Sequence, residues 1–236
     1  MREGRGRSRH EWSKASMPLP AIVFDLDGTL VDSAPDICAI ANEVLAAEGA
    51  APLTLPEARS FVGSGASMFV ARMRAARGLP DADHDRLLDR FLGLYEGAVS
   101  LSEVYPGAAE AVAALAAQGH ALGICTNKPI GPTRTVLAHF GLAGHFGAVT
   151  GGDSLAVRKP DPTPLLATLE ALGATSGLYI GDSEVDAETA ERARVPFLLF
   201  TEGYRKAPVE DLHHAAVFSR WTDLPPLIER LASRSA

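Results

Sequence analysis

The chain reads as an α/β protein: a parallel sheet with helices on both faces, interrupted near its start by an all-helical insertion. Three observations predict this. From Pro106 onward, short apolar runs of strand length alternate with stretches of helical period, the pattern of a parallel sheet covered on both sides. One short apolar run, Ala21 to Asp25, stands alone ahead of that alternation. Between Ser33 and about Glu103 the pattern is helical with no convincing strand, an insertion of roughly 70 residues.

Each element has its own signal. Ala21 to Asp25 is a buried strand that Gly28 and Thr29 turn away from. Asp32 or Ser33 is suited to cap the first helix of the insertion, with Pro35 in its first turn and Gly49 at its end. A second helical stretch follows Gly63-Ser64-Gly65, and a third carries Leu87, Leu88, Phe91, Leu92, Tyr95 and Val99 on one stripe. Beyond Pro106 the order is helix Ala108 to Gln118, strand Ala121 to Cys125, helix Pro132 to Phe140 and strand Ala148 to Thr150. There follow helix Pro164 to Leu172, strand Leu178 to Ile180, helix Glu184 to Ala193, strand Val195 to Phe200 and a last short strand at Val217 to Phe218.

Composition narrows the function. With 236 residues, 47% hydrophobic and 22% charged, the chain has material for an ordinary globular core. No apolar run reaches the 18 or so residues of a membrane helix. A net charge of −7 argues against general nucleic-acid affinity. The two cysteines, Cys38 and Cys125, are too few for a disulfide framework and point to a reducing, cytoplasmic setting. The seven histidines show no ligand spacing, and His213-His214 reads as surface. Residues 1–16 carry five basic and two acidic side chains with little to bury, so they read as a disordered tail without a secretory h-region. Met17, four residues before the first strand, is the expected natural start.

The chemistry sits where the apolar runs break. Asp25 and Asp27 close the first strand and, at positions i and i+2, face one way. Thr126-Asn127 close the second, Lys159 follows the third, and Asp182 with Asp186 follow the fourth. In open α/β sheets the ligand crevice lies at these carboxyl ends. Each set has an ordinary account of its own: Asp-Gly turn chemistry, a strand-to-loop turn, a solvated lysine, acids at a helix N-terminus. Separate accounts leave the coincidence unexplained.

One reaction uses all of these residue types. A carboxylate, Asp25, can attack a phosphoryl group and form an aspartyl-phosphate. An anion approaching a phosphate dianion needs neutralising charge, and Mg²⁺ takes oxygen ligands: Asp25, Asp182 and the backbone carbonyl of Asp27. Lys159 adds a fixed positive charge, and Thr126 donates a hydroxyl hydrogen bond. The Asp27 carboxylate protonates the leaving oxygen and later activates water. Asp186, one helical turn past Asp182, orients Lys159 or a water.

The segments FDLDGTLVDSAPD, TNKP, VTGGDSLAVRKPDPTPLL and YIGDSEVDAETAERA carry a resemblance. From about Ala21 to Phe200 the chain resembles the haloacid dehalogenase superfamily of phosphatases. The longer phrases from Gly151 to Leu166, with GSGA at Gly63 to Ala66, resemble its bacterial phosphoglycolate phosphatase branch. The resemblance implies a Rossmann-like core over residues 17–32 and 104–236, with residues 33–103 as a helical cap. It implies Asp25 as nucleophile, Asp27 as acid/base, Thr126 and Lys159 as phosphate binders, and Mg²⁺ held by Asp25, Asp27 and Asp182. The implied reaction is 2-phosphoglycolate plus water to glycolate and phosphate.

Relatives on this fold do other chemistry. Dehalogenases lack the second aspartate, which Asp27 supplies, and phosphonatases need a cap lysine, of which Ser33 to Glu103 contains none. Sugar-phosphate phosphatases or mutases and pyrophosphatases remain rivals; a non-catalytic phospho-ligand binder would want a missing nucleophile or lysine. The carboxylate of phosphoglycolate calls for a cation from the insertion: Arg59, Arg72, Arg74 or Arg77, with Arg72 favoured on the helix after Gly63-Ser64-Gly65. Asn127 and Lys128 belong to the same substrate-binding set, Lys128 as the alternative carboxylate reader. Oligomeric state is not legible.

Overall fold

A computed structural model of the chain describes residues 19–234. The expectations for residues 1–16 and for Met17 lie outside that range. Strand β1 (Ala21–Phe24) leads through β2 (Val31–Asp32) into helices α1 (Ala34–Ala47), α2 (Leu55–Phe61), α3 (Ala66–Ala76) and α4 (His84–Tyr95), and β3 (Glu103–Val104) returns the chain. Then come α5 (Ala108–Ala117), β4 (Leu122–Cys125), α6 (Ile130–His139), β5 (Ala148–Thr150), α7 (Thr163–Ala171) and β6 (Gly177–Gly181). The chain continues with α8 (Glu184–Ala193), β7 (Phe197–Phe200), β8 (Ala216–Phe218) and α9 (Leu224–Arg234).

Six strands make one parallel sheet in the order β5-β4-β1-β6-β7-β8. Its strands are apolar without interruption because both faces are covered. Ile22 and Phe24 face one side, packed with Ile124, Ile180, Phe200 and, from α5 and α9, Val112, Leu115, Leu224 and Ile228. Ala21 and Val23 face the other, against Leu165 and Leu169 of α7 and Ala187 and Ala190 of α8. Each Leu, Ile or Phe so buried contributes about 1.5–3 kcal/mol. No described helix is long and apolar enough to cross a membrane.

Helices α1 to α4 bury an apolar cluster of their own, with Ile37, Val44, Leu45, Phe69, Met73, Leu87 and Phe91 at its heart. The insertion is joined to the sheet through a doubled connection. β2 and β3 pair antiparallel, Val31 opposite Val104 and Asp32 opposite Glu103. Just beyond, the buried Asp36 carboxylate accepts from the Leu101 backbone N–H at 3.1 Å and the Ser102 hydroxyl at 2.5 Å.

Several local expectations are corrected. The pairing of β2 with β3 was not foreseen, since two residues per strand carry no period. α2 is a separate short helix, started by a Thr54–Glu57 capping box. α4 ends at Tyr95, so Val99 leaves the helical stripe and packs on the main sheet core instead. Ser33 does stand at the N-cap of α1 but makes no cap bond, because its hydroxyl goes to Asp27. β7 begins at Phe197, past Val195 and Pro196. α9 was missed behind Pro225-Pro226, although proline is well tolerated in a first helical turn.

Candidate active site

The chain runs outward from β1 to β4 and β5, then crosses back to β6, which lies on the other side of β1. That reversal puts the topological switch between β1 and β6, where open α/β sheets bind ligands. Asp25 directly follows β1 and Asp182 directly follows β6. The loop after β4 brings Thr126, Asn127 and Lys128, and the long loop after β5 brings Lys159.

Lys159 is buried among acids. Its Nζ donates to Asp186 Oδ1 at 2.7 Å and to the Tyr179 hydroxyl at 2.8 Å, and stands 2.9 Å from Asp25 Oδ1. That last approach is an ion pair without hydrogen-bond alignment, and Asp25 Oδ1 has no hydrogen-bond partner among the described residues. Burial alone would push the ammonium down; the charges of Asp186 and Asp25 outweigh it and raise the Lys159 pKa. Burial also works to raise Asp186, but Lys159 and the hydrogen bonds it accepts hold it below the usual carboxylate value. Asp25 goes the other way: burial and the Asp186 charge, opposed by Lys159, push it up to about 7.

Asp186 does a second task. Its Oδ2 accepts from the Ser183 N–H at 3.1 Å and the Ser183 hydroxyl at 2.6 Å, which closes a capping box on α8. Asp182, ahead of that cap, accepts from the Thr29 hydroxyl at 2.7 Å and the Tyr204 N–H at 2.6 Å. The backbone folds tightly around it. A Cβ on Gly28, which holds φ +86°, would lie 2.6 Å from Asp182 Oδ2; one on Gly203 would lie 2.3 Å from it.

One carboxylate oxygen from each of Asp25, Asp182 and Asp186 lies within 4.8 Å of the others, and all three residues are buried. Three acids bring three negative charges and Lys159 offsets one, so one divalent cation would close the balance. Asp25 Oδ1, which faces Lys159 without a hydrogen bond, fits that account. Asp182 is raised well above its ordinary value, by burial first and then by the charges of Asp186 and Asp25. Hard oxygen donors suit Mg²⁺.

The Asp27 side chain turns elsewhere. It accepts from the Ser33 hydroxyl at 2.5 Å and from Lys128 Nζ at 3.1 Å. The side chain stands outside the cluster of Asp25, Asp182 and Asp186, which leaves the backbone carbonyl as the Asp27 oxygen considered for a metal. Lys128 Nζ also donates to the Tyr95 hydroxyl of α4 at 2.6 Å, so this buried ammonium spans sheet and insertion. Thr126 borders the cleft; its hydroxyl accepts from the Lys128 N–H at 3.2 Å, which leaves its own hydrogen to give. Asn127 Nδ2 is already engaged, donating to Gly63 O and Lys159 O at 3.0 Å each.

The four arginines weighed as carboxylate readers separate cleanly. Arg59 pairs with Asp32, Arg74 with Asp81 and Arg77 with Glu57. Arg72 has no carboxylate partner among the described residues. It donates to Phe61 O at 2.9 Å and the Ser64 hydroxyl at 3.2 Å, and borders a cleft floored by Asp25, Asp27 and Asp182. Sequence reasoning passed over Tyr95, Tyr179, Tyr204 and Thr29. Tyr95 and Tyr179 lie in apolar runs and read as core, Tyr204 lies in a polar loop, and only the fold brings their hydroxyls to charged partners.

Comparison with known proteins shows the family. The haloacid dehalogenase-like hydrolase profile matches residues 22–200. A protein of Cereibacter sphaeroides named phosphoglycolate phosphatase is 53% identical over 216 residues, which cover 90% of this chain and 99% of that one. One of the same name from Rhodobacter capsulatus is 45% identical, over 89% and 97% of the two chains. A crystal structure from Haemophilus somnus 129pt, described as a predicted phosphoglycolate phosphatase, superposes with a TM-score of 0.82 at 29% identity, over 89% and 97% of the chains. From the acids at the ends of β1 and β6 to the match along most of its length, this chain belongs to the haloacid dehalogenase-like hydrolases.

Proposed function

We propose that this hydrolase is a Mg²⁺-dependent phosphatase that converts 2-phosphoglycolate and water to glycolate and phosphate. The observation that carries it is the meeting of Asp25 with Lys159, Asp182 and Asp186 at the sheet's switch point. The substrate comes from the relatives named phosphoglycolate phosphatase at 53% and 45% identity.

In the first half-reaction an Asp25 oxygen attacks phosphorus and the bond from phosphorus to the glycolate oxygen breaks. The leaving oxygen takes a proton from Asp27. In the second, water attacks the same phosphorus, gives a proton back to Asp27, and the bond to Asp25 breaks. Asp27 has the bearing for this, fixed by Ser33 and Lys128 rather than drawn into the acidic cluster. Lys159 offsets charge on nucleophile and phosphate together, and Asp186 with Tyr179 keeps its ammonium in line. Thr126 donates to a phosphate oxygen. Held by Asp25, Asp182 and the Asp27 carbonyl, Mg²⁺ would supply the remaining electrostatic relief between carboxylate and phosphate dianion.

Residues 33–103 act as a cap over a core of residues 17–32 and 104–236. Its movement excludes bulk water while the ester is broken. The separate apolar cluster of α1 to α4 supports that division. The enzyme works in the cytoplasm, in keeping with two buried free thiols.

The test is phosphate release from 2-phosphoglycolate, β-glucose 1-phosphate, pyrophosphate and p-nitrophenyl phosphate, with Mg²⁺ and with chelator. Metal-dependent preference for 2-phosphoglycolate, abolished in Asp25→Asn, is the expected result. Preference for the sugar phosphate or pyrophosphate would overturn the substrate. Turnover that survives Asp25→Asn would overturn the nucleophile.

A further inference from the structure

We propose that Arg72 and Lys206, one from each side of the cleft mouth, together read the carboxylate of the substrate. This rests on the phosphoglycolate reading and names the residues that would give it specificity. Arg72 belongs to α3 of the insertion; Lys206 belongs to the loop after β7 of the sheet. Both border the cleft that holds Asp25, Asp27 and Asp182.

Ion pairing narrows the choice and the cleft lining completes it: Arg158, beside Gly65, also makes no ion pair among the described residues, but it does not border the cleft of Asp25, Asp27 and Asp182. Of the cations near the site, Lys159 is balanced by Asp25 and Asp186, and Lys128 by Asp27. Lys128 is thereby spent, although the sequence made it the alternative reader. The other arginines weighed for this task each face a carboxylate. Arg72 and Lys206 make no ion pair with an acid among the described residues.

Both are nevertheless held in position. Phe61 O and the Ser64 hydroxyl fix the Arg72 fork. Glu184 Oε1 accepts from the backbone N–H groups of Lys206 and Ala207, which anchors the segment that carries the lysine. The two cations act on each other: burial and then the Arg72 charge lower Lys206, against the pull of Glu184. Two like charges bordering one cleft, which Glu184 also lines, define a place between them that an anion stabilises. A substrate with a phosphate at Asp25 and a carboxylate on the adjoining carbon supplies that second anion. Because one cation sits on each side, the carboxylate would also tie the insertion to the sheet.

The experiment compares kcat/KM for 2-phosphoglycolate with that for ethyl phosphate, which lacks the carboxylate. It uses the full-length wild type, Arg72→Ala, Lys206→Ala and Lys206→Arg. A charge-assisted contact predicts that the ratio of the two falls about tenfold in Lys206→Ala and at least as far in Arg72→Ala. The loss should lie in KM, and Lys206→Arg should retain most of the ratio. A ratio unchanged within about twofold, or an equal loss on both esters, would overturn the assignment. The two failures are distinguishable. A wild type that does not prefer 2-phosphoglycolate sinks the substrate reading and this inference with it; a wild type that does, with variants that keep the preference, sinks only the pair.

Discussion

The Asp186 carboxylate serves two masters: one oxygen accepts from Lys159 Nζ at 2.7 Å, the other from the Ser183 hydroxyl at 2.6 Å. The placement of the site's central cation and the start of α8 thus depend on a single side chain. Removing one partner of a buried ion pair costs about 3–5 kcal/mol, since the survivor stays buried without its counter-charge. Asp186→Ala should lose stability in that range, measured by urea unfolding, together with most phosphatase activity. A loss below about 1 kcal/mol would mean that Asp25 suffices to hold Lys159.

Ser183→Ala separates the two tasks. It removes the cap hydroxyl and leaves Lys159 its acid. The cost should be about 1 kcal/mol, or a fall of about 2–4 °C in Tm for a chain of this size. Activity should stay within about threefold. A hundredfold drop would show that the cap, rather than the ion pair, sets the lysine.

Charge in the cluster makes a prediction that needs no substrate. A divalent cation at a hundred times its Kd should stabilise the fold by about 2.7 kcal/mol. That corresponds to a Tm rise of about 5–10 °C on adding Mg²⁺, reversed by chelator. Asp182→Ala should abolish the rise. An equal rise in the variant would place the ion elsewhere.

Gly203 and Gly28 pack against Asp182 too closely for any other residue. At Gly203 an added Cβ meets Asp182 and, at 2.4 Å, the Gly28 carbonyl. Gly203→Ala should therefore displace Asp182 and weaken the Mg²⁺ requirement curve about 10–100-fold, the range found when supports of metal ligands are lost. An unchanged half-saturating Mg²⁺ concentration would refute it.

Much of this was legible in advance because the site sits where apolar runs end. Asp25 and Asp182 each stand at the exit of a buried strand, where a polar break in an apolar run stands out in a bare sequence; Lys159 lies well along the loop after β5. The core elements were readable for the same reason, with strand Ala148–Thr150 and helix Glu184–Ala193 bounded to the residue. What stayed hidden depends on distance along the chain. Tyr204 reaches Asp32 across 172 positions, and Lys128 reaches Tyr95 across 33. No local period encodes such partners. The two-residue strands β2 and β3 were invisible for the opposite reason, being shorter than any pattern.

Those two strands carry a last consequence. The helical lobe leaves and rejoins the sheet through one paired stalk, which Asp36 cinches to Leu101 and Ser102. A doubled stalk behaves as a single handle: it can tilt, but its ends cannot wander apart. Under the proposed function the groups that break the ester stand on the sheet side of that handle, while Arg72, one of the two proposed readers, stands on the lobe. A different head fitted to the same handle would change the diet of the enzyme without touching its teeth.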